Sequence, residues 1–212
     1  MAGCIRYFAF PMAFSPDERV VSPQEDPDVQ LMLAIKADDQ EAFEKLFRRH
    51  IGRVARFARG MVRSEARAEE IAQEAFAHVY RTRHSYEPRA RFLSWLYRIV
   101  TNLCITELRR PEHRVRIRGS GSEEEFELDS LPDPEGGDSE ARILSMERIR
   151  RMRNAIARLP EQQRAAVLLA REEGLPYTSV AEALGVSVAA VKSLIHRATL
   201  TLREELAKIE RG

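Results

Sequence analysis

The sequence predicts an all-α fold built from two small helical domains joined by a flexible acidic segment. Three observations predict it. Apolar residues recur at steps of three and four through residues 29–110 and again from Ile143 onward, which is the period of an amphipathic helix. Long alternating runs of Val, Ile and Thr are absent, so strand signals are weak throughout. Between the two periodic stretches lies GSGSEEEFELDSLPDPEGGDSE, residues 119–140, with nine acidic residues, no basic ones and Gly, Ser and Pro punctuation. Such a composition self-repels and buries too little apolar surface to fold.

The first domain, residues 28–111, divides into four helices. Val29, Leu31, Met32 and Ile35 make a short one that stops near Asp38-Asp39. A longer one carries Phe43, Leu46, Phe47, Ile51, Val54, Phe57, Ala58, Met61 and Val62. Ser64 is placed to cap a third, whose inward stripe is Ile71, Ala72, Ala75, Phe76, Val79 and Tyr80. Pro88 interrupts RHSYEPRAR, which reads as a loop, and the fourth helix runs from about Ala90 to Arg110 before Pro111. Short connections make these a compact bundle. The acidic linker spans 112–140, and the second domain spans 141–206.

Net charge is only +1 across 212 residues, but it is segregated. Residues 1–28 carry −3, 29–110 carry +6, 111–140 carry −7 and 141–212 carry +5. Two basic blocks around an acidic one suit two domains that each meet a polyanion. The cysteines, Cys4 and Cys104, are far apart and lack a Cys-x-x-Cys or a His at ligand spacing. No disulfide framework or metal site is therefore expected, in keeping with a reducing cytoplasm. No apolar run approaches the roughly 20 residues of a membrane span, so no membrane insertion is expected. The start, MAGCIRYFAFPMAF, is a poor secretion signal because Arg6 and Pro11 interrupt it. Residues 1–27 read either as a disordered tail or as sequence upstream of a later start at Met12 or Met32. No Ser-His-Asp set, carboxylate pair or Gly-rich phosphate loop is visible, so neither an enzyme, a cofactor nor a small-molecule substrate is expected.

Tyr177 to Leu202 is spaced as a helix-turn-helix. Val180, Ala181 and Leu184 share a face of a short helix, and Gly185 suits the turn. Ser187 can cap the second helix, which packs inward through Val191, Leu194, Ile195, Ala198 and Leu202. Its outward face begins with Val188, Ala189, Lys192, Ser193, His196 and Arg197, small and basic residues that suit the major groove. In the first domain, Glu70, Gln73 and Glu74 share the polar face of the third helix. Trp95, Arg98, Asn102 and Arg109 fall along one flank of the fourth, where an aromatic and arginines suit unstacked bases and phosphates. Core packing is the competing reading of Trp95.

Together AEEIAQEAF, then F-x-x-W-L-x-x-I-x-x-N ending in Arg109-Arg110, then LPEQQRAAVLL with PYTSVAEALGVSVAAVKSLIHRA, resemble the extracytoplasmic-function group of the sigma-70 family. The resemblance covers nearly everything from Asp28 to Leu206. It implies a bacterial alternative sigma factor, with core RNA polymerase and promoter DNA as partners and an anti-sigma factor as a further one. Glu70, Gln73 and Glu74 would dock on the polymerase. Tyr86, Arg89, Trp95, Arg98, Asn102, Arg109 and Arg110, with His84 and Ser85 nearby, would melt and hold the −10 element. Ser187, Val188, Ala189, Lys192, Ser193, His196 and Arg197 would read the −35 element, and the linker would thread toward the RNA path. Two positions depart from the family pattern: Leu194 stands where Arg is common, and Ser179 where Glu is common. By period Leu194 falls at the edge of the packed face. No sensory domain is expected after Leu206. The alternative is a dimeric helix-turn-helix regulator that acts without polymerase.

Overall fold

The computed structural model describes residues 25–110 and 139–209, and in the second stretch the side chains of 149–207. Helix α1 (Pro27–Lys36) opens on Asp26 and places a proline at its first position, where a missing N–H costs nothing. Asp39 caps α2 (Gln40–Val62) by accepting from the Ala42 N–H at 3.0 Å. Arg63 closes α2 in the left-handed region, at φ 60°. Ser64 caps α3 (Glu65–Arg81), as the sequence predicts. A single 3₁₀ turn, Arg83–Ser85, then leads to α4 (Phe92–Arg109).

The linker expected at 112–140 and the tail expected at 1–27 lie outside the described residues, except at their inner ends. Ser139 and Glu140 already belong to helix α5 (Ser139–Arg158). Asp26 is inside the fold, 7% exposed, because its carboxylate accepts from two helix starts at once. One oxygen takes the Asp28 N–H at 3.0 Å, and the other takes the Phe92 N–H at 3.1 Å. The residue before Phe92 supplies no side-chain cap, so α4 borrows one from 66 residues upstream.

Next to Asp26, Asp28 meets His50 at 2.8 Å and pairs with Arg49. This ties α1 to the middle of α2 by a nearly buried carboxylate. The apolar stripes of α2, α3 and α4 close over Phe57, Phe76, Phe92 and Tyr97, all fully buried. Cys104 joins that core, and burial pushes its thiol up to about 12.

The second domain follows Pro160 with α6 (Glu161–Val167), which passes into a π-helical segment, Leu168–Glu172. Gly174 leaves that segment at φ +67°. Helix α7 (Tyr177–Leu184) ends at Gly185, φ +65°, and α8 (Val188–Ile209) follows. Gly185 thus makes the tight turn that its position in the sequence predicts. Helix α8 packs on α7, α6 and α5, with Met152, Leu159, Ala198 and Leu202 in a small core of their own.

The two domains are in contact. Helix α4 lies chiefly against α7, and α2 touches α5, α6 and the π-helical segment. Apolar residues of both domains form one continuous cluster across this seam. Leu194 belongs to it at 7% exposure, so it is packed inside rather than at the edge of the helical face. The helical period places it on the inward side with Val191 and Ile195, and the covering groups from elsewhere in the chain complete its burial.

Candidate nucleic-acid interface

Two solvent-facing surfaces carry the chemistry that the sequence assigns. On α8, Ala189, Lys192, Ser193, His196 and Arg197 are exposed, while Val191, Leu194, Ile195 and Ala198 are buried behind them. Ser187 accepts from the Ala190 N–H at 3.1 Å and so starts the helix. Val188 is half-buried against the core, which makes it a support for the surface more than a part of it. The Arg197 guanidinium bonds back to the Ser193 carbonyl at 3.3 Å, a weak tether that leaves its charge at the surface. Small side chains at the helix start let the backbone approach a groove floor, and the cations one turn later can reach base edges or phosphates.

On α4, Arg98 and Asn102 are exposed one turn apart, and Arg109 and Arg110 are exposed at the C-terminal end. Trp95 is half-buried and continues the stripe toward the N-terminus. Its ring centroid lies 4.9 Å from that of Tyr86 and 6.0 Å from that of Phe92. One edge of the indole is core and the other is surface, so the core reading of Trp95 holds in part. Tyr86 is different. It is 4% exposed under Trp95, and burial, with the Asp26 charge adding, pushes its phenol up to about 12. Its hydroxyl has no hydrogen-bond partner among the described residues. Arg89 stands in solvent on the loop beside it, paired with Glu87 at 2.6 Å.

The loop is anchored by contacts that no short motif announces. Lys36 donates to the Tyr86 carbonyl at 2.9 Å, and Arg83 pairs with Asp38 while lying 4.1 Å over the Tyr80 ring. His84 leans on the Lys36 carbonyl at 3.2 Å. The end of α1 therefore fixes the path of the loop that carries Tyr86 and Arg89.

A third surface lies on α3, where Glu69, Glu70, Gln73 and Glu74 are exposed together. Behind it, Arg67 donates twice to Glu107 of α4, at 2.9 and 2.6 Å, and also bonds Glu70. The Glu107 bond is the leading reason that the Arg67 guanidinium is held above its ordinary range. Glu107, 8% exposed, also receives Arg110 at 3.1 Å. Sequence reasoning missed both Glu107 and Arg67. Their only signal is a charged residue placed on an apolar helical face, which pairing across two helices explains afterwards. Among the described residues no cluster of His, Cys, Asp and Glu could hold a metal ion. Nor is any single described helix long and apolar enough to cross a membrane.

Comparison with known proteins supports the same division. The family description "Sigma-70 region 2" matches residues 46–114, and "Sigma-70, region 4" matches residues 149–202. The chain is 33% identical over 195 residues to the ECF RNA polymerase sigma factor SigE of Mycolicibacterium smegmatis, covering 91% of this chain and 73% of that one. It is 34% identical over 171 residues to the RNA polymerase sigma factor CarQ of Myxococcus xanthus, covering 81% and 92%. Among solved structures, its fold is similar to CnrH in complex with the cytosolic domain of CnrY, with a TM-score of 0.64 at 23% identity over 86% of this chain and 99% of that one. It is also similar to RpoE of Bartonella quintana, solved in complex with the anti-sigma factor NepR, with a TM-score of 0.57 at 20% identity over 78% and 96%. The reading as a dimeric regulator is not favoured. The chain belongs to the extracytoplasmic-function group of the sigma-70 family and is an alternative sigma factor that directs promoter-specific transcription.

Proposed function

We propose that the promoter is read in two halves by the surfaces described above. Residues 141–206 read the −35 element as duplex through Ala189, Lys192, Ser193, His196 and Arg197, with Ser187 and Val188 holding the helix start in place. Residues 28–111 hold the −10 element as a separated strand through Trp95, Arg98 and Asn102, with Arg89, Arg109 and Arg110 on the backbone. The observation that carries this reading is the division of α8, where Val191, Leu194, Ile195 and Ala198 are buried while Ala189, Lys192, Ser193, His196 and Arg197 are exposed.

Strand separation is then driven by binding. Unstacking costs a few kcal/mol per flipped base, and stacking on an aromatic returns roughly 1–3 kcal/mol per base. The sigma factor needs no catalytic group for this, and the bond-forming chemistry belongs to the polymerase. Tyr86 acts first as the support under Trp95, and it reaches a base only if the loop from Arg83 to Arg91 moves.

Glu70, Gln73 and Glu74 form the docking face for basic side chains of core polymerase. The protein works in the cytoplasm, and an anti-sigma factor is a further partner, since RpoE of Bartonella quintana, which is similar in fold, is solved with an anti-sigma factor bound. Transcription in vitro with purified core polymerase tests the whole reading. Promoter-specific initiation that depends on Lys192 and Arg98 is expected. Binding to palindromic duplex with no effect on initiation would overturn it.

A further inference from the structure

The cleft where the start of α4 meets the start of α7 gathers more positive charge than its one carboxylate answers. It encloses about 170 Å³ and is walled by Arg53 of α2, Arg91 at the N-cap of α4, and Glu173, Gly174, Pro176 and Ser179 around the entry to α7. That is well above the ~10–15 Å³ that admits one water. Gly174, at φ +67°, adds no side chain to the wall.

Of the two cations, Arg53 is already committed. Its Nε lies 2.9 Å from the Glu173 carboxylate, and a second N–H donates to the Glu173 carbonyl at 3.1 Å. The Glu173 side chain, 2% exposed, therefore shows the cleft little negative surface. Asp26, the carboxylate nearest the start of α4, is turned onto the Asp28 and Phe92 N–H groups. Arg91 is half-buried, and its guanidinium makes no hydrogen bond or ion pair among the described residues.

The start of α7 adds donors. Pro176 stands at its N-cap and supplies no side-chain acceptor. The Val180 N–H bonds to the Pro176 carbonyl at 3.0 Å, whereas the Thr178 and Ser179 N–H groups before it have no acceptor among the described residues. Such a helix start carries about half a positive charge. Ser179 points to a ligand independently. It is 3% exposed, it lines the cleft, and its hydroxyl makes no hydrogen bond among the described residues. A buried hydroxyl normally finds a partner, and the cleft is the side from which one can arrive.

We propose that this cleft binds a small phosphate-bearing solute, a phosphomonoester or a diphosphate. The Arg91 guanidinium, the Ser179 hydroxyl and the N–H groups at the start of α7 all donate to its oxygens. These donors come from two domains and so from different directions. A carboxylate holds both oxygens in one plane, whereas the three terminal oxygens of a phosphate diverge and can meet all of them. The guanidinium fork suits two of these oxygens at once. Because both domains wall the cleft, it takes a solute and not a duplex. The surfaces assigned above to the promoter, with Lys192 and His196 on α8 and Arg98 and Asn102 on α4, lie in open solvent and share no residue with it.

Titration calorimetry of the full-length protein with pyrophosphate, and with inorganic phosphate, at constant ionic strength in chloride tests the proposal. One saturable site per chain is expected, with pyrophosphate the tighter ligand. Arg91→Gln removes the uncommitted cation, and Ser179→Glu places a carboxylate in the first turn of α7, where acid favours the helix. Each should weaken pyrophosphate binding about tenfold or more, the scale of one lost charge-assisted bond. Helical circular dichroism should be retained in both. Lys45→Gln, which removes an exposed cation elsewhere, should leave the affinity unchanged. Excess pyrophosphate should raise the thermal midpoint of the unsubstituted protein and of neither cleft variant.

A random-sequence duplex should not displace pyrophosphate. Competitive displacement would assign these donors to a DNA backbone and overturn the proposal, as would the absence of saturable binding or an affinity that both cleft variants share with the unsubstituted protein. If Ser179→Glu loses its helical signal, Arg91→Gln decides alone. Binding is read on the chain by itself, so this outcome is separate from the success or failure of the promoter reading.

Discussion

Asp26 binds the start of α1 and, 66 residues further along the chain, the start of α4, accepting from the Asp28 N–H and the Phe92 N–H. The α4 stripe proposed to hold the −10 element is thus oriented by a residue outside the bundle that the periodicity outlines. Asp26→Ala leaves both N–H groups without this acceptor, and the loss should be about 2 kcal/mol, twice a single cap. Urea unfolding followed by circular dichroism measures it. Asp26→Asn should cost about half as much, ~1 kcal/mol, because the amide oxygen still accepts one of the two bonds.

The Asp28 carboxyl is set by opposing effects. Burial alone would raise it, but the hydrogen bond and charge of His50, followed by those of Arg49, outweigh burial and hold it below its ordinary 3.8. A folded value below the unfolded one means the contribution is complete above the unfolded value and drains as pH falls through the folded one. Unfolding free energy should therefore drop more steeply below pH ~4 in the unsubstituted protein than in Asp28→Asn. At pH 7 that variant should be less stable by about 3 kcal/mol, the scale for breaking a buried pair. Equal acid slopes in the two proteins would count against this ion pair.

The aromatic pair on the −10 side separates support from contact. The Tyr86 hydroxyl is buried without a partner, so Tyr86→Phe should leave stability unchanged or raise it by about 1 kcal/mol. Trp95→Ala should cost about 2 kcal/mol through lost packing on Tyr86 and Phe92. Beyond that cost, promoter opening should slow more than closed-complex formation, as read by permanganate reactivity of unpaired thymines. Equal loss in both steps would assign Trp95 to the core alone.

Most of the fold could be read from the sequence because each helix of the first domain carries its own signal. Asp38-Asp39 is a stop, Ser64 is a cap, Phe43 to Val62 is a regular stripe, and Gly185 suits its turn. The exposed face of α8 was legible for the same reason: Lys192, His196 and Arg197 lie opposite Val191, Ile195 and Ala198. What escaped was every feature made by two distant segments. The caps from Asp26, the Arg67–Glu107 pair and the burial of Ser179 depend on which helices meet, and no local period encodes that. Tyr86 shows the limit most clearly, since its place on a polar loop suggested exposure and the loop folds it under Trp95.

The docking face on α3 gives a separable prediction. Gln73 and Glu74 are exposed and hold no side-chain bond among the described residues, whereas Glu70 is bonded to Arg67. Gln73→Ala with Glu74→Ala should leave the thermal midpoint unchanged and weaken core polymerase binding about tenfold, or ~1.4 kcal/mol. An unaltered affinity by fluorescence anisotropy would remove the face from the docking account.

The −35 surface should show two kinds of loss. A cation that meets phosphate weakens all sequences alike and lowers the salt slope by about one unit, whereas one that meets a base edge relaxes a single position at about 1–3 kcal/mol. Lys192→Ala and Arg197→Ala, titrated at several salt concentrations against single-base variants of the preferred site, sort the two roles.

The most direct measurement is initiation in vitro by purified core polymerase on a randomised promoter library, with and without this sigma factor, sequencing the transcripts formed. Transcripts enriched for paired upstream and downstream elements at fixed spacing, lost with Lys192→Ala at the upstream element and with Arg98→Ala at the downstream one, are the predicted result. No initiation above core alone, or enrichment of a single palindrome indifferent to Arg98, would contradict the account.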